Sequence, residues 1–110
     1  MPNPSKELLD YYSSNKPLVC ELEVSPYICE FWPENELVKF NEEYQLPIYA
    51  LGYFGFATNC GGEMYAISPT NEIVYLPLIG MKPDVAIKLA STWQAFEEIL
   101  LPISESDTNG

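Results

Sequence analysis

FWPENELVKFNEEYQLPIYALGYFGFATNCGGEMYAIS, residues 31–68, carries in one stretch a short helix, a strand, a glycine turn and a second strand. Glu36 to Tyr44 has the helical period: Leu37, Phe40 and Tyr44 share one face, with Asn41, Glu42 and Glu43 outside or at its end. Ile48 to Ala57 is nearly all apolar and aromatic, which predicts a central strand buried on both faces. Gly52 and Gly55 within it predict a bulge or a close backbone approach. Thr58-Asn59-Cys60-Gly61-Gly62 supplies the positive φ that a tight reversal needs, and Glu63 to Ile67 is the returning strand. Because the turn is drawn here, a β-branched residue at Gly61 is expected to be costly. Ser68-Pro69-Thr70-Asn71 makes the next turn and Glu72 to Leu76 the next strand, completing an antiparallel meander.

Working outward, Leu18 to Val24 alternates, with Leu18, Cys20, Leu22 and Val24 on one side and Val19, Glu21 and Glu23 on the other. Ser25-Pro26 breaks that strand, and Tyr27 to Trp32 reads as a second. Ser5 to Ser13 is a short helix capped by Ser5 and stopped by the cluster Ser13 to Pro17. Pro77 to Pro83 is irregular. Ser91 opens the last helix as a capping box with Gln94, and Trp93, Phe96, Ile99 and Leu100 form its buried stripe. Glu97 and Glu98 face water, and Pro102 ends the helix. The expected fold is α+β: a mostly antiparallel sheet of about five strands with helices packed against it. Residues 1–103 form one domain, and 104–110 are a flexible polar tail.

At 110 residues, with 47% apolar and 14% aromatic content, the chain can close one modest core. Sixteen acids stand against five lysines, with no arginine and no histidine, for a net charge of −11. That charge repels phosphate backbones and anionic headgroups, so nucleic acid and membrane are not the expected partners. Without arginine there is no bidentate clamp for phosphate. Without histidine the commonest general base and transition-metal ligand are missing. Cys20, Cys29 and Cys60 share no C-x-x-C spacing and cannot complete a Cys–His zinc site; they read as small buried apolar residues of a reducing, cytoplasmic setting. No apolar run is long enough to span a bilayer, and Met1 to Asp10 lacks a basic region followed by an apolar one, so an ordinary signal peptide is not expected.

Four elements, in order, carry a family likeness. They are Trp32-Pro33-Glu34, Asn41-Glu42-Glu43-Tyr44, Gly61-Gly62-Glu63 and the ending LASTWQAFEEIL, residues 89–100. Together with the strand Glu72 to Leu76 they resemble the SUKH superfamily, the Smi/Knr-like domains of bacterial toxin-immunity proteins and fungal cell-wall regulators. The likeness spans roughly residues 8–101. The family's first helix is shortened or missing here, which leaves open how one face of the sheet is covered. The resemblance implies a domain that binds proteins, catalyses nothing and takes no cofactor. It implies fold-motif roles for Trp32, Gly52, Gly61, Gly62, Trp93 and Phe96, and places Glu63 and Tyr65 at a partner-binding groove.

Glu34, Glu36, Glu42 and Glu43 cluster around one short helix. A catalytic or metal-holding carboxylate pair needs convergence in a pocket, whereas adjacent helical acids such as Glu42 and Glu43 diverge by about 100°. A solvated acidic face is the simpler account, and clustering alone suffices for docking a basic protein. Tyr27, Tyr49, Tyr53, Phe54 and Phe56 exceed what a small sheet can bury, so some are expected at the surface, where rings anchor partners. Three functions follow as expectations. The first is an immunity protein that occludes a basic toxin domain, such as a nuclease, with acidic mimicry of its substrate. The second is an intracellular regulatory or scaffold domain, and the third a carboxylate–metal enzyme.

Overall fold

The computed structural model describes residues 4–102, so the expected tail at 104–110 lies outside the described residues. The fold is α+β. Helix α1 (Lys6–Ser13) begins at Ser5, whose Oγ accepts from the Leu8 amide at 3.2 Å. Strands β1 (Val19–Glu21) and β2 (Ile28–Phe31) form a hairpin. A 3₁₀ turn at Glu34–Glu36 leads into α2 (Leu37–Glu43) and the single turn α3 (Leu46–Tyr49). Then come β3 (Phe54–Thr58), β4 (Glu63–Ile67) and β5 (Ile73–Pro77), a 3₁₀ turn at Pro83–Val85, and β6 (Ile87–Ala90). Helix α4 (Trp93–Ile99) and the two-residue β7 (Leu101–Pro102) finish the described chain.

The strands make one antiparallel sheet in the order β6-β5-β4-β3-β2-β1-β7. From β1 to β6 each strand lies beside its predecessor, as short turns dictate. Helix α4 then carries the chain back across the sheet, and Leu101 pairs with Glu21 on the far edge. The sheet thus has seven strands where the sequence predicted about five. The two additions, β6 and β7, are four and two residues long.

The centre of the sheet is buried on both faces. On one face Phe31, Phe56 and Tyr65 meet Tyr11 of α1 and Trp93 and Phe96 of α4, with Tyr11 stacked on Phe31 at 4.5 Å. Helices α1 and α4 therefore cover the face whose cover the sequence left open. On the other face Trp32 packs against Gly55 and the rings of Phe40 and Tyr44. A Cβ at Gly55 would sit 2.7 Å from Met64 Sδ and 3.2 Å from the Trp32 ring, so a larger residue would displace Met64 and crowd Trp32 over β3. The expected irregularity is present as a register shift between Gly55 and Ala57.

Several local expectations are corrected. Ile48 and Tyr49 are not strand: Gln45 has φ +61° and Pro47 opens a helical turn, so β3 starts only at Phe54. The first strand shrinks to Val19–Glu21, leaving Leu18 and Val24 exposed beyond its ends. Thr92, not Ser91, caps α4, its Oγ1 accepting from the Ala95 amide at 3.1 Å; Ile99 lies outside the buried stripe. Pro102 does not end that helix but pairs with Cys20 in the sheet.

Candidate functional site

Strand β3 reaches past the end of β2, and its backbone at Gly55 needs a partner there. Asn41 supplies it. Predicted to lie outside, Asn41 is buried: its Oδ1 accepts from the Gly55 amide at 2.7 Å, and its Nδ2 donates to the carbonyls of Gly55 and Leu37 at 2.8 Å. A carboxamide has one acceptor and one donor end, so it pairs with a strand as another peptide unit would. This fixes the rotation of α2 and sends Glu42 and Glu43 outward.

The end of α2 then turns a corner into α3. Tyr44 stacks on Trp32 at 5.7 Å and stays 42% exposed. Leu46 and Ala50 point inward and are fully buried, while Ile48, Tyr49 and Leu51 are turned to solvent. Opposite stands the loop after β5, where Gly80 with φ +77° reverses the chain and leaves Ile79 92% exposed. Between corner and loop runs a groove of about 620 Å³, lined by Glu43, Tyr44, Tyr49, Leu78, Ile79 and the buried Met81. Lys82 lines it as well, the one cation among its lining residues.

The acids singled out from sequence divide. Glu34 lines a shallow hollow with Leu9 and Asn35 beside α1, whereas Glu43 lines the groove at the far end of α2. Glu36 is half-buried, and Glu42 is exposed beside Glu43. Among the described residues no three acids or cysteines converge into a metal-holding cluster.

Tyr65 cannot touch a partner: it is fully buried on the inner face, and its hydroxyl donates to the Ile28 carbonyl at 2.5 Å. Burial pushes its hydroxyl well above the ordinary tyrosine range, as it does for Tyr11 and Tyr12. Glu63 is tied into its own turn, its carboxylate accepting from Asn59 Nδ2 at 2.8 Å. The same Asn59 offers Oδ1 to the amides of Gly61 and Glu63, at 2.9 and 3.0 Å. Those amides are therefore spent on the turn rather than offered to an anion. Positive φ falls on Cys60 and Gly62, not on Gly61, so the expected strain at Gly61 moves one residue on. Trp32, Trp93 and Phe96 are core residues, and Gly52, φ +89°, turns the chain against Pro69.

Cys20 and Cys29 face each other across β1 and β2, both buried, and burial raises both thiols. Cys60 is exposed, contrary to the expectation that all three cysteines are buried; its thiol donates to Glu30 at 2.9 Å. Sequence reasoning missed the groove loop, since Leu78-Ile79-Gly80-Met81 has no period of its own. A hydrophobic pair beside a glycine, outside any predicted element, was the available signal.

Among the described residues no helix is long and apolar enough to cross a membrane. Comparison of the chain with family models, curated proteins and solved structures finds no match to any of them.

Proposed function

We infer that this chain is a protein-binding module that neutralises a basic partner protein in the cytoplasm, as an immunity protein does, by covering the partner's working surface. One observation carries this: Tyr44, Tyr49 and Ile79 stand exposed around a groove whose neighbours include Glu42 and Glu43. Exposed rings and aliphatics give an interface its desolvated centre, and charges around it steer the encounter. With −11 net charge the chain attracts a basic surface over long range, and an acidic face imitates the phosphates that a nuclease cleft holds. The motif order that resembles the SUKH superfamily agrees with a binding role.

The test is affinity capture from the source organism with the wild-type chain and with the variant Ile48→Asp/Ile79→Asp. A basic protein retained by the first and lost from the second is the expected result. A partner held equally by both would move the docking face elsewhere. With the partner in hand, the variant Glu34→Gln/Glu36→Gln/Glu42→Gln/Glu43→Gln should slow association at low salt. The difference should shrink towards 0.15 M salt, where screening acts beyond about 8 Å. An unchanged low-salt on-rate would remove these acids from the encounter.

A further inference from the structure

The two edges of the sheet end at one opening. β6 and β7 are the outermost strands, and α4 joins them. Beside the end of α4 both edges line a single slot of about 380 Å³: Leu89 comes from β6, Ile99 from α4, Leu101 from β7, and Val24 from the segment after β1. Val24, Ile99 and Leu101 are all exposed, so these apolar side chains have found no cover within the described fold. The remaining lining residues are Glu23 and Glu98, both acids. No lysine lines the slot.

The backbone on one wall is also unpartnered. Among the described residues β6 pairs with β5 alone, and the register shift between Ile73 and Val74 leaves Leu89 as an extra residue with no partner opposite. Beyond that ladder the amides and carbonyls of Ile87–Ala90 make no hydrogen bond with any described residue. Edges are guarded by proline, free lysine, bulges or shortness; β6 is short and bulged at Leu89 but has neither a proline nor an unpaired lysine. β7 has Pro102, whereas Lys88 on β6 is drawn to Glu72 at 3.3 Å, which neutralises it. β6 is the open edge.

We propose that this slot takes an extended segment of a partner protein, added as a strand on β6. One apolar side chain of that segment sits between Val24, Leu89, Ile99 and Leu101. Side chains two residues to either side share its face, so lysine or arginine there meets Glu23 and Glu98. The site is separate from the groove at the α2–α3 corner and does not depend on it.

The probes are three capped synthetic peptides: SKTLTKS, its acidic counterpart SETLTES, and SKTLTKS with the leucine and both threonine amides methylated, which blocks both edges of its strand. Each is titrated into the full chain while backbone amide resonances are followed by NMR. SKTLTKS should shift Val24, Leu89, Ile99 and Leu101 and slow amide exchange along β6. The acidic peptide should bind at least about tenfold more weakly, and the methylated one should lose binding. Ile99→Lys, an exposed substitution that leaves the core intact, should abolish the shifts. Equal binding of the acidic or methylated peptide overturns the proposal, as does the absence of shifts at millimolar peptide. Shifts at these residues that follow protein concentration alone would make a second copy the occupant. Contacts from residues 103–110 to Leu89 in the free chain would make it the chain's own tail. Either result rejects a foreign segment.

Discussion

Two aromatic clusters in this molecule are built from similar residues and have opposite fates. Tyr11, Phe31, Phe56, Tyr65, Trp93 and Phe96 close over the inner face of the sheet, and their polar tips are bonded: Tyr65 to the Ile28 carbonyl, Tyr11 to the Pro17 carbonyl, Trp93 Nε1 to Glu97. Tyr44, Ile48, Tyr49 and Leu51 at the α2–α3 corner, with Ile79 on the loop opposite, remain open to water. One apolar run, Leu46 to Ala57, feeds both clusters, giving Phe56 to the first and Ile48 and Tyr49 to the second. What separates them is backbone. The left-handed Gln45, Pro47 and the positive φ of Gly52 wind the start of the run into a turn before the strand begins. Apolarity recruits a residue to a contact, and turn chemistry decides whether that contact is internal.

The sharpest way to break this contrast is to truncate one ring from each cluster. Phe96→Ala should lower unfolding free energy by about 3–5 kcal/mol in urea, through lost burial and the cavity left behind. Tyr49→Ala should stay within about 0.5 kcal/mol. Similar costs for both would mean that the corner is covered in solution.

Next in size is the hinge between the clusters. Asn41→Ala leaves the Gly55 amide and carbonyl buried without partners and should cost about 2–3 kcal/mol. A neutral result would show that α2 does not depend on pairing with β3.

The bonded tyrosines set up a pH test. A tyrosine whose native pKa is raised keeps its proton after the unfolded chain has lost its own. Stability is therefore complete below the unfolded value of 10.0 and falls as pH rises above it. Each such hydroxyl should contribute a slope of about 1.4 kcal/mol per pH unit. Tyr65→Phe should remove one such contribution above pH 10. Identical alkaline slopes for wild type and Tyr65→Phe would contradict burial of that hydroxyl.

The smallest effect concerns the β3–β4 turn. Gly62→Ala, at φ +101°, should cost about 1 kcal/mol, whereas Gly61→Ala should be near neutral, meeting only Asn59 at ordinary contact distance. The reverse order would restore the turn as first drawn from sequence.

The legible parts of the sequence were those governed by near neighbours. Ser5 caps α1, Asn59 to Gly62 reverse the chain, and Ser68 to Asn71 do so again, all through short-range bonds that a sequence displays. β6 and β7 were not legible. IKLA and Leu101-Pro102 are too short to show a period, and they are strands only because β5 and β1 lie alongside. Asn41 looked like any polar helical residue, since its partner Gly55 is fourteen positions away. Tyr65 was put at a groove by resemblance alone, whereas β4 is buried on both faces here. The acids were found, but their division between the two ends of α2 needed the helix itself.

The pairing of Cys20 and Glu21 with Pro102 and Leu101 has a consequence for the order of events during synthesis. The β1–β2 hairpin can form early on the ribosome, but its outer neighbour emerges some seventy residues later. Trp93 and Phe96, which seal the inner face, arrive almost as late. Until then the growing chain holds a meander with one face covered by α1 alone, and its long-range contacts are the slow kind. A stop codon after residue 90 would release a sheet without its lid. Completion of this fold thus waits for residues 93–102 to emerge.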